Sequence, residues 1–225
     1  MKKYIVIIYI LFSFSCKSQK VLNFLTEPVI QLEAGKNTNI RELLDIDGYY
    51  EKDSTDYRKW VFFEDGSYGP VIFIKGATQS DIKENMLKWI DGTIWDSYYS
   101  PDWGVYKIEG DTIICQNFDR AGIFVGQSYY SERFIIIDRR TIKRFYCKSI
   151  SKSDEKYYRI NPMRPFITEE PKHFVSADSL LSSDCWLKEK KWIWKNEQDW
   201  KNYKEKIKEK KKKKTMKMIK NDVKW

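Results

Sequence analysis

Histidine, cysteine, proline and glycine are all scarce in this chain of 225 residues, at one, four, six and ten copies. Each scarcity removes a class of protein. A lone His173 has no second imidazole for a metal pair, and no Cys-x-x-Cys or His/Cys cluster exists to hold structural zinc. No Gly-x-Gly-x-x-Gly and no P-loop occurs, so nucleotide chemistry has no foothold. The absent Gly-x-Ser-x-Gly elbow leaves His173 without a nucleophile of that kind and reads it as a surface or loop residue. The first apolar run is roughly half the ~20 residues that a membrane-spanning helix needs. No catalytic residue, metal or cofactor is expected.

What is abundant is aromatic side chain and, at one end, lysine. Apolar residues make up 42% and aromatics 16%, enough for a packed core and too rich for a disordered chain. The net charge of +9 belongs to the last 25 residues, where twelve Lys face three acids, Glu205, Glu209 and Asp222. The other 200 residues balance 29 basic against 29 acidic groups. A nucleic-acid-binding domain carries its basic face on the folded part, so no nucleic acid is expected as a partner.

The chain opens Met1-Lys2-Lys3, runs apolar from Tyr4 to Phe12 and continues Ser13-Phe14-Ser15-Cys16. A charged start, a short apolar stretch and small residues before a cut site are the parts of an export signal. The placement of Cys16 resembles the lipobox of a bacterial lipoprotein signal, with Ser13 where Leu is commonest. That resemblance implies a signal peptide over 1–15, acylation of Cys16 with chains such as palmitate, and a tether over 16–44. The mature protein would then sit outside the cytoplasm, anchored to a membrane of the cell envelope. The other reading is an ordinary signal with a chance cysteine.

Residues 45–195 read as one domain. Tyr49-Tyr50 forms a short strand. Tyr57 to Phe63 and Ser67 to Lys75 flank Asp65-Gly66, a strong hairpin signal because the turn needs the positive φ that Gly accepts. Trp103 to Ile108 and Thr112 to Phe118 repeat the scheme around Gly110, and Gln127 to Ile137 pairs with Thr141 to Ile150. Tyr157-Tyr158 supplies one more strand. The expectation is mainly β, an antiparallel up-and-down barrel of about eight strands. Ser80 to Ile90 changes period and predicts a short inserted amphipathic helix, with Ile82, Met86 and Ile90 four apart. Residues 161–185, interrupted by Pro162, Pro165 and Pro171, read as looser. Trp186 to Lys195 predicts a strand or an arm laid across the barrel. Residues 197–221 predict a Lys-rich helix within a basic tail over 196–225.

The order of these hairpins, Gly48-Tyr49-Tyr50, then Lys59 to Gly66, then Trp103 to Ile113, resembles the lipocalin-like domains of small bacterial lipoproteins. The Gly-x-Trp opening of true lipocalins is replaced by Gly48-Tyr49-Tyr50. The resemblance implies an antiparallel barrel, most of whose relatives have no assigned activity. The density of aromatics has two readings. They line a cavity for an apolar or sugar-like ligand, with Trp60, Phe62, Trp103 and Tyr106 as candidates, or they fill the barrel and cover its outside.

Cys115 and Cys147 lie in apolar strand-like runs, either as buried small hydrophobes or as a disulfide between neighbouring strands. Asp45-x-Asp47-Gly48 has the look of a calcium loop but no Glu at the required distance, and reads as a turn into a strand. Three functions stay open. The first is a non-enzymatic small-ligand-binding or envelope-associated module. The second is an interaction protein docking its Trp-rich arm and Lys208 to Lys214 on a partner or an anionic surface. The third is a hydrolase using paired carboxylates.

Overall fold

A computed structural model describes residues 25–35, 38–53, 58–72, 103–118, 129–151, 169–177 and 183–222. Eight strands, each hydrogen-bonded antiparallel to its sequence neighbour, close into a barrel where the last meets the first. They are β1 (Gly48–Glu51), β2 (Arg58–Phe62), β3 (Ser67–Ile72), β4 (Trp103–Glu109), β5 (Thr112–Phe118), β6 (Tyr129–Asp138), β7 (Thr141–Ser149) and β8 (Lys172–Ser176). A one-turn helix α1 (Ile40–Leu43) precedes β1, and the 26-residue helix α2 (Glu197–Asp222) follows the barrel. Closure removes the sheet edges that aromatic-rich strands would otherwise offer to other chains.

The first seven strands fall where alternation and turn residues predict them. The hairpin glycines Gly66 and Gly110 adopt φ of 85° and 63°, a region that side chains resist. The strand that closes the barrel is Lys172–Ser176, from the stretch whose prolines read as loose, and that reading is corrected. Tyr157-Tyr158 and the helix predicted over 80–90 lie outside the described residues. In the closing ladder, Gly48, Tyr49, Tyr50 and Glu51 face Ser176, Val175, Phe174 and His173.

Alternation sorts the side chains into an inner and an outer layer. Inside, Tyr50, Trp60, Phe62, Tyr68, Tyr106, Ile113, Cys115, Phe134 and Ile142 form one buried cluster. Ile40, Leu44 and Ile46 join it from the segment before β1 and close one end, taken here as the lower. Arg139 in the β6–β7 turn ties that lid down, donating to the carbonyls of Glu42 and Arg41 and to the Asp45 carboxylate. From within, the Tyr50 hydroxyl donates to the Asp45 and Arg139 carbonyls at 2.8 and 3.0 Å.

Outside, Tyr49, Val61, Phe63, Trp103, Val105, Phe118 and Tyr129 form a second cluster with Leu25, Leu32, Leu187 and Ile193. The covering residues come from both ends of the chain. Leu25, Val29, Ile30 and Leu32, within the expected tether, pack against the barrel wall. The C-terminal arm is two 3-10 turns, Trp186–Glu189 and Lys191–Ile193, and Trp194 bridges in parallel to Leu32.

Candidate functional site

The lower interior is stacked ring on ring. Phe62 lies near-parallel to Tyr68 at 5.8 Å and edge-on to Tyr106, Phe134 and Tyr50 at 5.6, 6.0 and 6.1 Å. Tyr68 covers Gly104 on the facing strand, where an added Cβ would meet its ring at 2.1 Å. The Tyr106 hydroxyl donates to the Phe63 carbonyl at 2.6 Å, with the Thr38 hydroxyl 2.9 Å away. Burial above all pushes ionisation of Tyr50 and Tyr106 well above the ordinary phenol range, so both stay neutral donors.

The upper interior is polar. Glu132 on β6, Arg144 on β7 and Lys172 on β8 are all buried there. Arg144 Nη1 donates to Glu132, and its Nη2 donates to Glu169 from the coil before β8. Lys172 Nζ stands 3.6 Å from the Glu169 carboxylate and 4.1 Å over the face of Trp60. Tyr68 donates to Glu132 at 3.3 Å. Burial works against the charge on Arg144, but the two carboxylates outweigh it and hold its proton more firmly than usual. Two interior carboxylates do converge, then, and a guanidinium lies between them.

A β-bulge interrupts β7 beside this cluster. Arg133 pairs with Tyr146 but Phe134 pairs with Arg144, so Phe145 is the extra residue. Arg144 shares the inner face with Ile142 by alternation, and the slip brings Cys147, opposite Glu132, to that same face.

Cys115 and Cys147 form no disulfide. They stand on either side of Glu132, which is paired with one through β5 and with the other through β7. Two strand spacings separate them, about 9.5 Å, beyond the roughly 7 Å that a disulfide spans. The alternative of a bridge is therefore corrected: the two strands are not neighbours. Burial raises the Cys115 thiol well above its usual range and pushes Cys185 up to about 11.

Of the four aromatics proposed to line a cavity, Trp60, Phe62 and Tyr106 share the interior. Trp103 faces outward and stacks on Phe63 at 5.9 Å in the outer layer. His173 is exposed on β8 opposite Glu51. Asp47 accepts a two-pronged contact from Arg41, and Asp45 receives Arg139, so the calcium-loop look-alike is an ionic staple. No cluster of three metal-ligating side chains occurs among the described residues. Cys16 lies outside them.

A separate feature lies on α2. Trp200 Nε1 donates to the Glu189 carbonyl, and Tyr203 packs on Trp194 at 5.4 Å, docking the first turns of the helix on the arm. Beyond them a groove of about 890 Å³ opens between arm and helix, with Tyr203, Ile207 and Met216 as apolar floor and Lys190, Lys204, Lys208, Lys211 and Lys212 around it. Glu189 and Glu205 are its acids, leaving the groove cationic.

The fold and this interior define a closed, eight-stranded up-and-down barrel with an aromatic floor and a buried charge cluster. Comparison with known protein families, with curated proteins and with solved structures finds no match to this chain.

Proposed function

We propose that the protein is an exported envelope lipoprotein, anchored through acylated Cys16, whose barrel is a non-enzymatic module binding a small ligand at its upper, polar end. The observation that carries the binding reading is the division of the interior. Stacked aromatics fill the lower half, whereas the upper half buries Glu132, Arg144, Lys172 and Asn117. Burying charge costs several kcal/mol per ion even when pairs form, a cost that an apolar core would avoid. Arg144 Nε and Asn117 Oδ1 are buried without a hydrogen-bond partner among the described residues, and polar atoms left so are sites for an incoming polar group.

The test is thermal denaturation of the purified chain against short apolar carboxylates, alcohols and sugars. A concentration-dependent rise in Tm with one class supports the reading through mass action; no rise with any class ends it. Mass measurement of the mature N-terminal peptide tests the anchor, with a diacylated Cys16 expected and an unmodified one overturning it.

The groove on α2 favours a second reading, docking on an anionic surface. Each Lys near such a surface contributes about 1 kcal/mol, screened by salt. Cosedimentation with anionic vesicles should fall when Lys208, Lys211 and Lys212 are changed to Gln; unchanged cosedimentation removes this reading.

A further inference from the structure

The groove on α2 is built from a pattern that works against the helix itself. Lys204, Lys208, Lys211 and Lys212 fall three and four residues apart, so they project from one face. Like charges at that spacing repel and weaken a helix, and a facing layer of anions relieves the repulsion. With Lys190 from the arm, five cations and two carboxylates, Glu189 and Glu205, line the groove, an excess of three positive charges. Lys210, which does not line it, meets Asp184 at 2.6 Å and ties another side of α2 to the segment before the arm.

Charge is half of the pattern. Tyr203 and Ile207 are half-buried at the floor of the groove, and Met216, 56% exposed, stands at its C-terminal end beside the lysines. Cations around apolar side chains fit a surface whose anions lie directly above hydrocarbon, the boundary layer of a phospholipid bilayer. α2 contains no Arg, so nothing in it grips a single phosphate with a planar fork. Lys heads are point charges, suited to a crowd of headgroups. A bilayer is also at hand. The Lys195 N–H donates to the Leu32 carbonyl at 3.0 Å, and the Ala34 N–H donates to Asp199 in the first turn of α2 at 3.1 Å. The segment so joined to α2 begins at Leu25, nine residues after Cys16, a reach of at most about 30 Å. Acylation of Cys16, as proposed above, therefore keeps α2 at high effective concentration near one membrane.

We propose that the α2 groove is the face that the protein lays on an anionic phospholipid bilayer, with its lysines at the headgroups and Met216 at the acyl boundary beneath them. The proposal rests on the anionic-surface reading of this groove and names the surface. No bond is made or broken. With Cys16 it makes two attachments of different kinds: the acyl chains hold the protein at the membrane, and lipid charge decides which face of it lies down.

Amide exchange of the full chain tests it, on vesicles of phosphatidylcholine alone, on vesicles mixed with phosphatidylglycerol, and with soluble polyphosphate. With anionic lipid at about ten times half-saturation, exchange across residues 203–216 should slow about tenfold, and neutral vesicles should leave it unchanged. Lys208→Gln with Lys211→Gln and Lys212→Gln should abolish the slowing, at about fivefold in affinity per lysine. Met216→Ser, at an exposed position, should reduce the slowing on anionic vesicles, and polyphosphate should slow exchange far less than those vesicles do. Equal slowing by polyphosphate, or a Met216→Ser chain that behaves as the parent, overturns the bilayer and leaves an anionic partner of another kind. No slowing on anionic vesicles, equal slowing on neutral ones, or a triple lysine variant that behaves as the parent removes the proposal together with the reading beneath it.

Discussion

The inner and outer faces of the barrel wall both carry large apolar clusters but are covered in different ways. Inside, aromatic rings from facing strands meet one another, so the cluster is completed by the strands and the short lid before β1. Outside, Tyr49, Val61, Phe63 and Val105 are covered because the segment from Leu25 to Leu32 and the C-terminal arm lie over them. The inner layer is intrinsic to barrel closure. The outer layer depends on chain ends held by a few polar contacts, and loss of a contact there should open a coat and leave the barrel closed. Local opening of this kind has its own, smaller free energy.

Phe62→Ala is the sharpest way to break the comparison. Its ring touches four other aromatics and is fully buried. Truncation should cost about 3–5 kcal/mol, seen as a lower urea midpoint with β6 and β7 amides losing protection together. A cost under about 1 kcal/mol would show that the inner stack is not the stabilising layer.

The same contrast explains what is legible in the sequence. Seven strands stand out because an aromatic or branched residue at every second position meets a turn residue at the right place, as around Gly66 and Gly110. β8 does not, because its inward positions are Lys172 and Phe174 and the charge of the first hides the alternation. Pro171 immediately before it marks a strand start as well as a loop. The part that residues before β1 play in the core is equally hidden, since Leu25 and Leu32 lie in irregular chain and Ile40 and Leu44 span one helical turn, too short for a period to show. The charge cluster lies deeper still. Arg144 shares the inner face with Ile142 by alternation, but its charge hides that, and the partner it meets on β6 is set by pairing across the sheet.

The outer layer is sharpened by one ion pair. Lys188 Nζ, buried in the arm, meets the Asp65 carboxylate in the β2–β3 turn at 2.5 Å, and the hydroxyls of Ser67 and Ser183 donate to the same group at 2.5 and 2.7 Å. Burial alone would raise the pKa of Asp65, but the charge of Lys188 and these three hydrogen bonds outweigh it and hold the carboxyl below its usual range. A carboxyl so depressed binds its proton more readily once the arm has left. The latch is therefore at full strength above about pH 4 and is lost as pH falls through the lowered value. Because Asp65 is half open to solvent, the effect is modest, about 1 kcal/mol. Asp65→Asn should speed amide exchange across residues 186–194 at neutral pH, leave β6 and β7 protected, and abolish the acid-induced loss of protection in the arm. Equal loss of protection in the strands would show that the two layers unfold as one unit, and the distinction between them would fail.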